Sequence, residues 1–218
     1  MISKSTKVFY VVCILTGFFW SGMVNAQKII WVSAGDGDSL GNVWDQGFVD
    51  LLVGQGYEVQ REDSSMYTLE GETTLTNEQL DILESGDLVI VSRTNNSGNY
   101  NDAMGSNSIA KPVMLTSAYM SRANRWQWLD SSDLLGDGSY KATYFHVEAP
   151  EHPVFAGVEL NEFGSVAVLD TSVGTGNTSL PNWMDWGEGT LLATVDETGT
   201  VAIVHWVKDA FFHGNTDS

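Results

Sequence analysis

Apolar residues fall along this chain in two rhythms, and the alternation between them predicts its first half. Lys28-Ile-Ile-Trp-Val-Ser33, Asp87-Leu-Val-Ile-Val-Ser92 and Lys111-Pro-Val-Met-Leu-Thr116 are short, unbroken apolar runs. Runs of this length without a polar alternation predict strands buried on both faces. Between the first two the period lengthens. Trp44, Phe48, Leu51 and Leu52 recur at i, i+4, i+7 and i+8, one face of a helix that Gly54 and Gly56 stop. Tyr57-Glu-Val-Gln-Arg61 alternates, the pattern of an outer strand. A second helix opens at Thr76, where Gln79 three residues on makes a capping box and Leu75 with Leu80 makes a hydrophobic staple; Gly86 closes it. Strands and helices in this order, with short connections, predict parallel strands, right-handed crossovers and a doubly wound α/β sheet.

The second half changes character. Tyr140 to Val147 and Ser165 to Leu169 read as short strands. Thr190 to Val195 and Thr200 to Trp206 are apolar runs joined by Asp196-Glu-Thr-Gly199, a hairpin turn. Antiparallel strands in the C-terminal third, completing or flanking the sheet, are therefore expected. No repeat or low-complexity tract interrupts the chain. It stops soon after Phe211-Phe212 without the pattern of a closing helix, so truncation at the C-terminus and further modules of a longer protein are expected.

The first 26 residues belong to neither rhythm. Lys4 and Lys7 precede an apolar run from Val8 to Trp20, and Val24-Asn25-Ala26 carries small residues where a signal peptidase cuts. This order is that of a cleavable secretory signal, and the apolar run falls short of the roughly 20 residues of a membrane span. The expectation is a secreted or periplasmic protein whose mature part, residues 27–218, is one domain with no membrane insertion. The chain's single cysteine, Cys13, lies inside the signal, so packing rather than disulfides must hold the mature part together. All 28 acidic residues fall after residue 26 but only eight of the 10 basic ones do, a net charge of −20 that repels nucleic acid.

Several segments recur in a familiar order: Ile29-Ile-Trp-Val-Ser, Asp45-Gln-Gly-Phe-Val-Asp-Leu-Leu with Gly56-Tyr-Glu-Val, Asp87-Leu-Val-Ile-Val-Ser-Arg, Asn96-Ser-Gly-Asn-Tyr, Lys111-Pro-Val-Met-Leu and His152-Pro-Val-Phe-Ala-Gly-Val. Over roughly residues 28–160 the ordered set resembles the class I glutamine amidotransferase-like superfamily, in the ThuA-like version of exported bacterial proteins. The resemblance implies a flavodoxin-like three-layer sandwich with a mostly parallel sheet. It does not imply amidotransferase activity. Glutamine-hydrolysing members carry a cysteine on a strained elbow after a central strand; here that segment is Met114-Leu-Thr-Ser-Ala-Tyr119, and the mature chain has no thiol to supply.

In a doubly wound sheet ligands bind beyond the carboxyl ends of the strands, which selects three loops. The first contains Asp36 and Asp38, the second Arg93, Asn95, Asn96, Ser97 and Tyr100, and the third Ser117, Tyr119, Ser121, Arg122, Arg125 and Trp126. Three of the eight mature basic residues sit here among amides and aromatics, a set able to take a carbohydrate, a carboxylate or a peptide. The competing structural role is pairing of Arg93 and Arg122 with loop acids such as Asp36 and Asp45. A serine nucleophile at Ser117, with His146 or His152 as base, is the catalytic alternative, as is an acid pair of Asp36 and Asp38. Thr116, Ala118 and Tyr119 surround Ser117 where a true elbow carries glycines, and His152 before Pro153 suits a fixed turn. Ala34-Gly-Asp-Gly-Asp-Ser-Leu-Gly-Asn42 lacks the spacing of an EF-hand, so calcium is left only as an ad hoc ligand of a flexible loop whose glycines allow close backbone approach. The histidines show no zinc spacing, and Trp126, Trp128, Trp183 and Trp186 read as half-buried lids ahead of a sugar-stacking platform. The sequence thus favours an exported, non-catalytic domain that binds a ligand or partner through its strand-end loops. A secreted hydrolase of carbohydrate or ester is the second reading, and a purely structural role the third.

Overall fold

The computed structural model describes residues 27–35, 45–67, 75–99, 107–130, 134–135, 144–168, 180–181, 186–195 and 199–212. Residues 1–26, read above as a signal, lie outside them. The first half forms strand β1 (Lys28–Ser33), helix α1 (Gln46–Gly54), strand β2 (Glu58–Asp63), helix α2 (Asn77–Glu84), and strands β3 (Leu88–Val91) and β4 (Val113–Leu115). The four strands make one parallel sheet in the order β2-β1-β3-β4.

The unbroken apolar runs are explained by what covers them. With a side-chain period of two, Ile29, Trp31 and Ile90 face one way and pack with Val49 and Leu52 of α1. Ile30, Val32, Val89 and Val91 face the other way and pack with Leu83 of α2, Leu75, Tyr67, Met120 and Trp126. Both faces are dry, so neither strand has a polar alternate position. The strand order requires this. From β1 the chain steps out to β2, then returns past β1 to β3, and crossovers of one hand in opposite directions put their helices on opposite faces. β2 is left at the edge, where Glu58, Arg61, Glu62 and Asp63 keep its outer side solvated.

Two local readings are refined. The buried side of α1 is Val49 and Leu52 with Phe48 partly buried, whereas Leu51 is 43% exposed, so the helix is rotated from the predicted face; Trp44 lies outside the described residues. Gly56 at φ 94° provides the left-handed turn into β2. For α2 the prediction is met in detail. Thr76 Oγ1 accepts from the Gln79 amide at 3.2 Å, Gln79 Oε1 accepts from the Thr76 amide at 2.7 Å, and Leu75 and Leu80 both pack on the core.

Strands β5 (Leu134–Leu135), β6 (Tyr144–Val147), β7 (Ser165–Ala167), β8 (Leu180–Pro181), β9 (Thr190–Val195) and β10 (Val201–His205) follow. The antiparallel strands expected here are present, but they do not complete the parallel sheet. β10-β9-β6-β7 form a separate four-stranded sheet, and β5 pairs with β8. This second sheet has its own core of Val147, Phe155, Leu192 and Ala193. Residues 196–198 of the predicted hairpin turn lie outside the described residues, yet the turn's closing bonds, Gly199 amide to Val195 carbonyl at 2.7 Å and Val195 amide to Thr200 carbonyl at 2.8 Å, are made. The tryptophans join the two halves. Trp128 sits between Trp126 (5.8 Å between centroids) and Trp206 (5.7 Å), and its Nε1 donates to Asn107 Oδ1 at 2.9 Å. Trp186 is half-buried, and its carbonyl accepts from Trp206 Nε1 at 2.7 Å; Trp183 lies outside the described residues.

Substitutions should rank by this burial. Ile30→Ala, at a fully buried position, is expected to cost about 2–5 kcal/mol, Thr76→Ala about 1 kcal/mol, and Leu51→Ala less than about 0.5 kcal/mol. Urea denaturation checks the order, and a Leu51 loss as large as that of Ile30 would place the buried face of α1 elsewhere.

Candidate functional site

β1 ends in Ser33 and β3 is followed at once by Ser92, and that regularity builds the wall of the site. Between these strands the order of the sheet reverses, the point at which a doubly wound sheet opens a crevice beyond its strand ends. Ser33 and Ser92 are 2% and 1% exposed. Small hydroxyl side chains allow a third group to enter between the strands, and that group is Asp45, the residue before α1. Asp45 Oδ2 accepts from Ser92 Oγ, from Thr94 Oγ1 at 3.3 Å and from Trp31 Nε1 at 3.4 Å. To reach them Asp45 adopts the left-handed conformation (φ 62°, ψ 10°) and leaves its own helix without a side-chain cap. Such a conformation costs a residue other than glycine of order 1–3 kcal/mol and is kept only where the surroundings enforce it.

The remaining contacts tie the strand ends to one another. Thr94 Oγ1 accepts from the Ala34 amide at 3.2 Å, and Arg61 Nη2, from within β2, donates to Ser33 Oγ at 3.2 Å. Thr116, after β4, donates through its amide (3.0 Å) and Oγ1 (3.1 Å) to the Val91 carbonyl. Asn95 is 5% exposed; its Nδ2 donates to the Val32 carbonyl at 3.2 Å, and its Oδ1 is buried with no donor. Gly35 has the close approach expected of that loop, since a Cβ there would lie 2.1 Å from Asp63 Oδ2. Beside the rim Tyr67 donates to Glu62 Oε2 at 3.0 Å; burial, then that carboxylate, push the phenol above its ordinary range and keep it a donor.

The residues proposed from sequence distribute as follows. Arg93 is exposed and makes no hydrogen bond or ion pair among the described residues. Asn96 is exposed with its Oδ1 taken by the Gly98 amide at 3.0 Å, and Ser97 is half-buried. Tyr119 is 37% exposed, with the Arg122 guanidinium 5.4 Å above its ring and Arg122 Nε donating to its carbonyl at 2.9 Å. Arg125 is half-buried against the Asn124 carbonyl. Ser117 is 6% exposed, and Trp126 at 3% is part of the core under α2, where its ring packs rather than meets solvent. Arg93, Ser117 and Arg122 thus follow two neighbouring strands at the same end of the sheet. Asp36, Asp38 and Tyr100 lie outside the described residues.

The two histidines weighed as bases have other partners. His146 Nδ1 lies 3.5 Å from Ser165 Oγ, and His152 Nε2 lies 3.2 Å from His205 Nδ1, while Ser117 Oγ makes no hydrogen bond among the described residues. The Val154 amide donates to His152 Nδ1 at 3.3 Å, which leaves the ring hydrogen on Nε2, directed at His205. Desolvation, then His205, hold His152 below its ordinary value. Among the described residues no three His, Cys, Asp or Glu side chains are grouped to hold a metal ion, and no helix is long and apolar enough to cross a membrane. Set against protein-family models, curated proteins and solved structures, the chain matches none of them.

Sequence reading named Asp45 only as an arginine partner and passed over Ser33, Ser92 and Thr94. The signal was present in two apolar runs that both close on serine.

Two outcomes follow. Asp45→Ala keeps a side chain at φ 62° and removes the carboxylate, so stranding the buried donors of Trp31 and Ser92 should cost about 1–3 kcal/mol in denaturant; an unchanged midpoint would show that the carboxylate does not hold the rim. For His152 the unfolded chain binds more protons than the folded one below about pH 6.5, so stability is fully present above that pH and declines as pH falls through it. Solvent screens this pair, so the effect is small. The drop in melting temperature from about pH 7.5 to about pH 5.5 should be smaller in His152→Gln than in the natural chain.

Proposed function

We propose that this chain is an exported bacterial domain of the amidotransferase-like superfamily, ThuA-like and non-catalytic, that binds a ligand or partner through the loops beyond the carboxyl ends of its parallel strands. Its first half is read as a flavodoxin-like three-layer sandwich. The supporting observation is that β1, β3 and β4 end on one rim, where Arg93 is exposed with no hydrogen bond or ion pair among the described residues, Asn95, Asn96 and Ser97 follow it, and Arg122 lies over Tyr119 in the loop after β4. A free guanidinium with an aromatic face and amide groups suits a small polar ligand, carbohydrate included. The domain is secreted or periplasmic in this reading, leaves nucleic acid alone and works beside other modules of a longer protein. Hydrolysis is disfavoured because Ser117 has no base bonded to it among the described residues and the mature chain has no cysteine.

The test is a glycan array together with glycoside and ester substrates, applied to the natural chain and to Arg93→Ala, Tyr119→Ala and Ser117→Ala. Binding without turnover, weakened in the first two variants with melting temperature unchanged, is the expected result. Turnover that disappears in Ser117→Ala would establish the hydrolase instead.

A further inference from the structure

Cleavage of the signal puts a reactive residue at the new amino terminus. The Val24-Asn25-Ala26 site is followed by Gln27, and Gln27 leads straight into β1. The fold pins the chain from the Gln27 carbonyl onward. That carbonyl accepts from the Glu58 amide at 3.1 Å, the Lys28 amide donates to Asp87 Oδ2 at 2.9 Å, and Lys28 Nζ donates to Ser85 Oγ at 3.0 Å. Ile29 and Ile30, next along the strand, are buried. Gln27 itself is exposed, and its side-chain amide makes no hydrogen bond among the described residues.

A free α-amine and a free carboxamide on one residue are a nucleophile and an electrophile held within ring-closing distance. We infer that the mature chain begins with pyroglutamate, formed at Gln27 once a signal peptidase, with water, has hydrolysed the Ala26–Gln27 bond. The α-nitrogen lone pair attacks Cδ, the new N–Cδ bond closes a lactam, and the Cδ–Nε2 bond breaks. Nε2 keeps the electron pair of that bond, takes the proton given up by the α-nitrogen and leaves as ammonia. No oxidant or further reactant enters. The ring atoms N, Cα, Cβ, Cγ and Cδ all lie on the free side of the anchored carbonyl, so closure leaves the bond from the Glu58 amide in place. Nor does the fold need the α-amine as a donor, since the Lys28 amide already occupies Asp87 Oδ2. The product has no α-ammonium, the group by which an aminopeptidase holds its substrate. The lactam therefore guards an end where a single residue precedes the strand that carries Ser33 to the rim. This rests on the reading of the chain as exported, and not on the rim being a binding surface.

The full chain, expressed with residues 1–26 in an exporting bacterium and taken from the exported fraction without storage, tests this by intact mass and Edman degradation. The natural chain should have the mass of residues 27–218 less one ammonia. Its denatured form should yield no Edman sequence until pyroglutamyl aminopeptidase is added, after which Lys28 should read first. Gln27→Ala should have an open end, and a general aminopeptidase should remove that residue while sparing the natural chain. If the variant is not processed, the mass and Edman result of the natural chain decide alone. Glutamine read first from the natural chain overturns the lactam and leaves export standing. A mature end at another residue overturns it as well, and an uncut chain overturns the inference and the export reading together. A blocked end in Gln27→Ala, or equal trimming of the two chains, places the block elsewhere and also overturns it. The rim reading stands or falls on the ligand array, whichever of these is found.

Discussion

Burial of β1 and β3 on both faces is the constraint on which the rest depends. Ile30 and Val89 are fully buried, and their neighbours on the opposite face are covered by α1. Each face of this pair presents its own set of side chains to a different partner, and that close packing on both sides holds the register. The pair's carboxyl ends are therefore fixed points. Ser33, Ser92 and Asn95 hang from those points, and Asp45 closes the gap between them.

Polar groups at such an end are costly unless paired, and nearly all of them are paired. Trp31, Ser92 and Thr94 share one carboxylate oxygen, and Ser33 has Arg61. Among the described residues three buried polar side-chain atoms make no hydrogen bond, Asn95 Oδ1 here and Arg125 Nε and Trp126 Nε1 in the loop after β4. The loop after β4 behaves differently. It buries Met120 and Trp126 and keeps its arginines on its own carbonyls or ring, so it forms a wall and supplies one exposed aromatic face.

Much of the parallel half was legible because its signals are local. Unbroken apolar runs, a capping box at Thr76 and an alternating charged segment at 57–61 each report an environment that a few neighbours create. The face of α1 was misjudged because Val49 and Leu51 are equally apolar and only the pairing of Trp31 with Phe48 and Val49 decides between them. The partnering of the later strands was illegible for another reason. Strand pattern reveals alternation but not which edge a strand joins, and β6, β7, β9 and β10 pair among themselves. The site was half legible: its loops follow from the rule of strand ends, whereas the role of Asp45 depends on a left-handed backbone that no spacing announces.

Native-state hydrogen exchange tests the central claim most directly. The amides of Ile30, Val89 and Val91 should exchange only through global unfolding, at the free energy measured by denaturant, while those of β10 open earlier through smaller fluctuations. If the β1 and β3 amides exchange as readily as those of β10, the pair is not the fixed support of the rim, and the site described here has no foundation.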